Sequence, residues 1–150
     1  MAGVFNVWNA YNQYQFECEV VNTIAAYTYT SATIRQANAS SGMQVSWVCG
    51  DATEFTEASY KDFWTNSGGT ITTMVIGLAL DATNASNLGD DRIPCPANGF
   101  SLTNRHQRKF KGGLGSHFVA ATEQGDGSHA NTFNQFGVSN TEGLTFSMWM

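Results

Sequence analysis

The stretch Met43-Gln44-Val45-Ser46-Trp47-Val48-Cys49 decides the fold class. Met43, Val45, Trp47 and Cys49 fall on one side of an extended chain, and Gln44, Ser46 and Val48 on the other. That is the two-residue period of a half-buried strand, not the 3.6-residue period of a helix. The same rhythm recurs outward in both directions. Phe16, Cys18 and Val20 oppose Gln15, Glu17 and Glu19. Leu144, Phe146 and Met148 oppose Thr145, Ser147 and Trp149. Thr28 to Gln36 is rich in β-branched and aromatic residues and reads as one strand. Thr70–Leu80, Leu102–Phe110 and Ser116–Thr122 read as three more.

Turn residues separate these runs: Ser40-Ser41-Gly42, Asn66-Ser67-Gly68-Gly69, Asn98-Gly99, Lys111-Gly112-Gly113 and Gly125-Asp126-Gly127. Strands at this spacing predict an all-β sandwich, jelly-roll-like, as a single domain over residues 1–150. Ala52 to Phe63, with Phe55, Tyr60 and Phe63 as its apolar positions, is expected to be a short helix or a loop. Val4 to Tyr14 fits a strand or a helical face, and its aromatics favour the strand. Residues 82–99 and 123–140 are expected to be long polar loops, where sandwich proteins usually carry their binding residues.

Composition narrows the function. Of the 150 residues, 42% are hydrophobic and only 13% are charged, against about 25% charged in an ordinary soluble domain. The surface is built from Thr, Ser, Asn, Gln and Gly, and suits contact with neighbouring subunits or with neutral ligands such as sugars. A net charge of −5 argues against nucleic-acid binding. No apolar run reaches membrane-spanning length. The start, Met1-Ala2-Gly3-Val4-Phe5, has no secretory pattern, so assembly in a cytoplasm is expected. Cys18, Cys49 and Cys95 stand far apart with no metal or redox spacing. Cys18 and Cys49 read as small buried hydrophobes, and Cys95 lies in the stiff loop Pro94-Cys95-Pro96.

Candidate chemistry is sparse. His106, His117 and His129 lack the spacing of a metal-binding pair. No Gly-x-Ser-x-Gly elbow is present, and Gly115-Ser116-His117 does not make a triad. Gly89-Asp90-Asp91 is either a calcium-ligating turn or a solvated one. The expectation is therefore no enzyme, no cofactor and no metal. Arg105, Arg108, Lys109 and Lys111 are four of the seven basic residues. They are candidates for docking onto an acidic neighbour or an anionic glycan, or they form a solvated strand. Trp8 and Tyr11 either stack on a ligand or pack in the core. Arg35 either binds a partner or pairs with a carboxylate that pins strand register.

Four stretches together resemble a known family: Phe5-Asn6-Val7-Trp8-Asn9-Ala10-Tyr11-Asn12, Tyr27-Thr28-Tyr29-Thr30-Ser31-Ala32-Thr33-Ile34-Arg35-Gln36-Ala37-Asn38, Ser101-Leu102-Thr103-Asn104-Arg105 and Gly115-Ser116-His117-Phe118. Their order and spacing resemble a β-rich, jelly-roll-like module of virion proteins in tailed bacteriophages. The resemblance implies a particle-exterior protein, homo-oligomeric with a trimer as first expectation, contacting major capsid or tail proteins. Family members carry a segment ahead of the Trp8-Asn9-Ala10-Tyr11-Asn12 motif, whereas four residues precede Phe5 here. That departure favours a capsid decoration or cement protein. The alternative is a receptor-binding knob on a tail or head fibre that contacts host glycan.

Overall fold

The computed structural model describes residues 15–24, 26–50, 55–66, 68–97, 99–133 and 143–149. The chain forms two antiparallel sheets. In order, the strands are β1 (Gln15–Val21), β2 (Tyr27–Tyr29), β3 (Arg35–Gln36), β4 (Gln44–Cys49), β5 (Thr56–Asn66), β6 (Thr72–Leu80), β7 (Asp90–Cys95), β8 (Ser101–Phe110), β9 (Gly115–Gln124), β10 (Asn131–Phe133) and β11 (Gly143–Trp149). In the first sheet, β5 pairs with β8 along one edge. Along its other edge it pairs with β11 and then β10; β1 lies outside β11 and β2 outside β10. In the second sheet, β9 pairs with β6 on one side and with β4 and β3 on the other, and β7 lies outside β6.

The pairings nest. β6 pairs with β7, β5 with β8, β4 with β9, and β1 with β11. One long hairpin folded across two layers gives this pattern, which is the jelly-roll connectivity. The layers meet over two apolar clusters. The larger holds Trp47, Tyr60, Ile76, Leu78, Val119, Leu144, Phe146 and Met148, and the smaller holds Trp64, Met74, Cys95 and Phe133. Trp47 lies 4.7 Å from Phe146 and 6.1 Å from Phe110 between ring centroids, so it ties the sheets at one end. Each such aromatic contributes about 1.5–3 kcal/mol by leaving water.

Five sequence expectations are corrected. The expected short helix or loop over 52–63 is instead β5, the central strand of its sheet, from Thr56 onward. Its inward positions include Asp62 and Asn66, both fully buried, and those polar residues hide the period of two. The single strand over 28–36 is broken into β2 and β3, one in each sheet. The crossing is held by Tyr29 donating to the Thr33 carbonyl at 2.7 Å and by the Thr33 amide donating to Ser31 Oγ at 3.1 Å. The polar stretch 82–99 contains β7, an edge strand in which Pro94 is tolerated because one side of the ladder is open. Cys95 is not in a loop: it ends β7, is fully buried, and reaches the Phe100 carbonyl at 3.4 Å. The stretch 123–140 opens with the end of β9 and contains β10. Val4–Tyr14, with Trp8 and Tyr11, lies outside the described residues.

Candidate functional site, the outer face of the first sheet

Register builds the site. Across the outer face of β1, β11, β5 and β8, side chains line up in rows. One row runs Glu17, Ser147, Glu57, Lys109. The next runs Glu19, Thr145, Ser59, Gln107. Beyond it, Val21 and Gly143 lead to Lys61 and Arg105. Hydroxyls on the two middle strands form a low floor, and longer side chains on the outer strands form walls. The result is a groove of about 480 Å³ lined by Gln15, Glu17, Cys18, Glu19, Glu57, Ala58, Ser59, Arg105, Thr145, Phe146 and Ser147.

The groove residues are already oriented. Arg105 Nε donates to Ser59 Oγ at 2.6 Å, which fixes the guanidinium against the floor. Gln107 donates to Glu57, and Gln15 donates to Glu17 at 2.8 Å. Trp149 pairs with the lining residue Gln15, just outside the groove lining, on the same face as Thr145 and Ser147, and is 51% exposed. Burial raises the Cys18 thiol above its ordinary pKa, so it is not a ready nucleophile. Three carboxylates face one guanidinium in the lining, which leaves the groove negative. Carboxylates, hydroxyls and an amide flanked by one indole form a surface suited to vicinal hydroxyls of a sugar, with the ring face laid on the indole.

The sequence candidates are scattered rather than gathered. Arg105 lines the groove. Lys109 and Lys111 leave it and sit over the Phe55 ring at 5.4 and 4.8 Å. Arg108 turns away and donates to the Leu88 carbonyl at 2.9 Å. Arg35 lies between the sheets, directly opposite Glu123 in the ladder, and contacts its carboxylate at 2.7 Å. That is the register-pinning arrangement. Tyr27 donates to the same carboxylate at 2.6 Å, and Arg35 covers the Tyr29 ring at 3.7 Å. Burial pushes the Glu123 carboxyl up, with Tyr27 and Arg35 pulling it back. Burial, then the Asp62 charge, holds the Tyr27 and Tyr60 phenols well above their ordinary range.

The three histidines each take a separate aspartate: His106 with Asp91 at 3.2 Å, His117 with Asp81 at 2.8 Å, His129 with Asp126 at 2.7 Å. Asp90 contacts Arg92 at 3.3 Å. The segment 82–89 lies over the second sheet, where Ser86 meets Thr122 at 2.8 Å, on the opposite side of the molecule from the groove. Sequence reasoning missed Glu17, Glu19, Glu57, Ser59, Thr145 and Ser147 as one site. Each is an ordinary outward residue of its own strand, and only the register unites them.

No protein-family model and no curated protein sequence matches the chain. Among solved structures, the chain is similar to the C-terminal domain of EclA, a sugar-binding protein, at 11% identity. That match covers 95% of this chain and 82% of that one, with a TM-score of 0.33. It is also similar to a chain in the structure of the infectious bursal disease virus Gx strain, at 8% identity and a TM-score of 0.34. This second match covers 91% of this chain and 36% of that one. Likenesses at these scores do not bear on function. No helix among the described residues is long and apolar enough to cross a membrane.

Proposed function

We propose that this chain is a non-catalytic binding module carried on the exterior of a virus particle, and that the groove across its first sheet holds a neutral host-surface glycan. The groove carries this reading. It offers fixed acceptors and donors over a hydroxyl floor, is flanked by an exposed indole, and has the size of one or two sugar rings. Its excess of carboxylates disfavours sialylated or sulfated chains by like-charge repulsion. The virion setting is supported by the four sequence stretches that resemble phage modules. Binding without hydrolysis is the expected outcome because Glu17 and Glu19 are exposed rim residues and Glu57 is held by Gln107. A glycosidase acid has to be desolvated to hold its proton at neutral pH.

A panel of immobilised chito-, cello- and malto-oligosaccharides, with sialylated and sulfated glycans beside them, tests the reading. Neutral chains are expected to retain the protein. Trp149→Ala is expected to weaken retention at least tenfold, in line with loss of a stacking contact worth about 1.4 kcal/mol or more. Retention of anionic glycans alone would sink the reading. So would release of reducing ends that stops on Glu57→Gln.

A second reading is a capsid cement. It is favoured by one end of the sandwich, where Val48, Phe55, Leu114 and Trp149 are all exposed and Lys109 and Lys111 sit over Phe55. Apolar surface ringed by positive charge suits an acidic capsid subunit. Particles assembled without the protein separate the two readings. Fragile heads point to cement, and intact particles that fail to adsorb point to glycan binding.

A further inference from the structure

The two outer strands of the first sheet carry opposite charge. Among the described residues, β1 pairs with β11 alone and β8 with β5 alone, so each has one ladder side without a strand; on β8 the segment 88–91 of the second sheet packs against His106 and Arg108, and Arg105, Gln107 and Lys109 point out from the sheet. β1 presents Glu17 and Glu19. β8 presents Arg105 and Lys109, with Arg108 beside them and Lys111 just beyond. Among the described residues, none of these six has an ion-pair partner. Unpaired edge strands invite another strand, and charge normally guards them against the wrong one.

We infer that a second copy of this chain docks head to tail, the β8 edge of one copy against the β1 edge of the next. Direction and height both fit. Counting through the antiparallel ladder β1-β11-β5-β8, β8 runs opposite to β1. A rotation about an axis parallel to the strands therefore lays β8 antiparallel beside the next copy's β1, at unchanged height. At that height Lys109 shares a row with Glu17, and Gln107 with Glu19. Glu19 is then flanked diagonally by Lys109 and Arg105. Unlike surfaces meeting by rotation form a heterologous contact, which makes a ring where the rotation closes and a filament where it does not.

The test is native mass spectrometry and sedimentation of the full chain, with thermal unfolding as the check on folding. The wild type is expected to associate at low salt and to weaken as salt screens the edge charges. Glu17→Lys and Lys109→Glu are each expected to raise the dissociation constant at least tenfold. The chain carrying both reversals is expected to regain the assembly. A wild type that is monomeric at every salt concentration overturns the inference. So does an assembly indifferent to both single changes, or one that the paired reversal does not restore. Association and glycan retention are read separately on the wild type, so a failure of this contact is distinguishable from a failure of the groove.

Discussion

Gly143 sits where β1, β11 and β5 are tightest: a Cβ there would run into the Val20 carbonyl oxygen. The neighbour is backbone in a ladder and cannot step aside. Gly143→Ala is expected to cost about 2–3 kcal/mol, as overpacking does, read as a lower denaturation midpoint. A loss below 0.5 kcal/mol, about the noise of surface changes, would mean that β1 and β11 lie further apart. His117 and Asp81 give a pH signature at the same scale. Asp81 also accepts the Phe118 amide at 2.9 Å. The hydrogen bond to Asp81 raises the His117 pKa, and that bond with the Phe118 amide outweighs burial to lower Asp81. The histidine contribution is present below its unfolded pKa of about 6.5 and is lost as pH rises through the raised folded value. The aspartate contribution is present above its unfolded pKa of about 3.9 and is lost as pH falls through the lowered one. The pair therefore stabilises most between about pH 4 and 6.5. Asp81→Asn is expected to flatten the decline in stability from pH 6 to 8. An unchanged slope in urea titrations at those pH values would remove the pair from the account.

Among the elements, β2, β3 and β9 are joined by a polar chain in addition to apolar packing, and β5 carries a buried polar pair of its own. Arg35 of β3 and Tyr27 of β2 both hold Glu123 of β9, and Tyr60 of β5 donates to Asp62 at 2.5 Å. Removing the cation leaves a buried carboxylate unpaired. Arg35→Met is expected to cost about 3 kcal/mol at pH 7, and less when measured at pH 5, because burial raises the Glu123 pKa and so favours its neutral form as pH falls. Equal losses at both pH values, measured by chemical denaturation, would show that Glu123 is not charged in the fold. The same polar interior explains how far the sequence could be read. β1, β4 and β11 alternate cleanly, β6 is a long apolar run, and β8 and β9 are runs bounded by turn residues, so all six were legible. β5 was not, because Asp62 and Asn66 occupy core positions that a hydrophobic pattern cannot mark. β7 was hidden by Asp90, Asp91 and Pro94, and the bend between Tyr29 and Arg35 by a run of strand-forming residues. Arg35 was legible as a residue that could pin register, and its carboxylate, 88 residues away, was not.

At the scale of the whole molecule, the nested pairing places three adjoining surfaces that share residues: a polar groove on the first sheet, an apolar and basic end, and two oppositely charged edges. The groove and the apolar end were not legible as surfaces, because each joins residues from distant strands, whereas the basic edge was legible as the run Arg105, Arg108, Lys109 and Lys111 on and just beyond β8. Arg105 was singled out for its charge, yet its place is set by Ser59, on the neighbouring strand. A jelly roll of this kind supplies positions rather than chemistry. What it does is decided by which face meets a ligand.

The most direct measurement is a ¹H–¹⁵N shift titration with the neutral oligosaccharide that binds best among the chito-, cello- and malto- series. Shifts are expected to gather on Glu17, Glu57 to Ser59, Arg105 and Thr145 to Trp149, with the sugar recovered intact. Shifts gathered on residues 82–89, on the far side of the sandwich, or no saturable shift with any of the three series, would contradict the account.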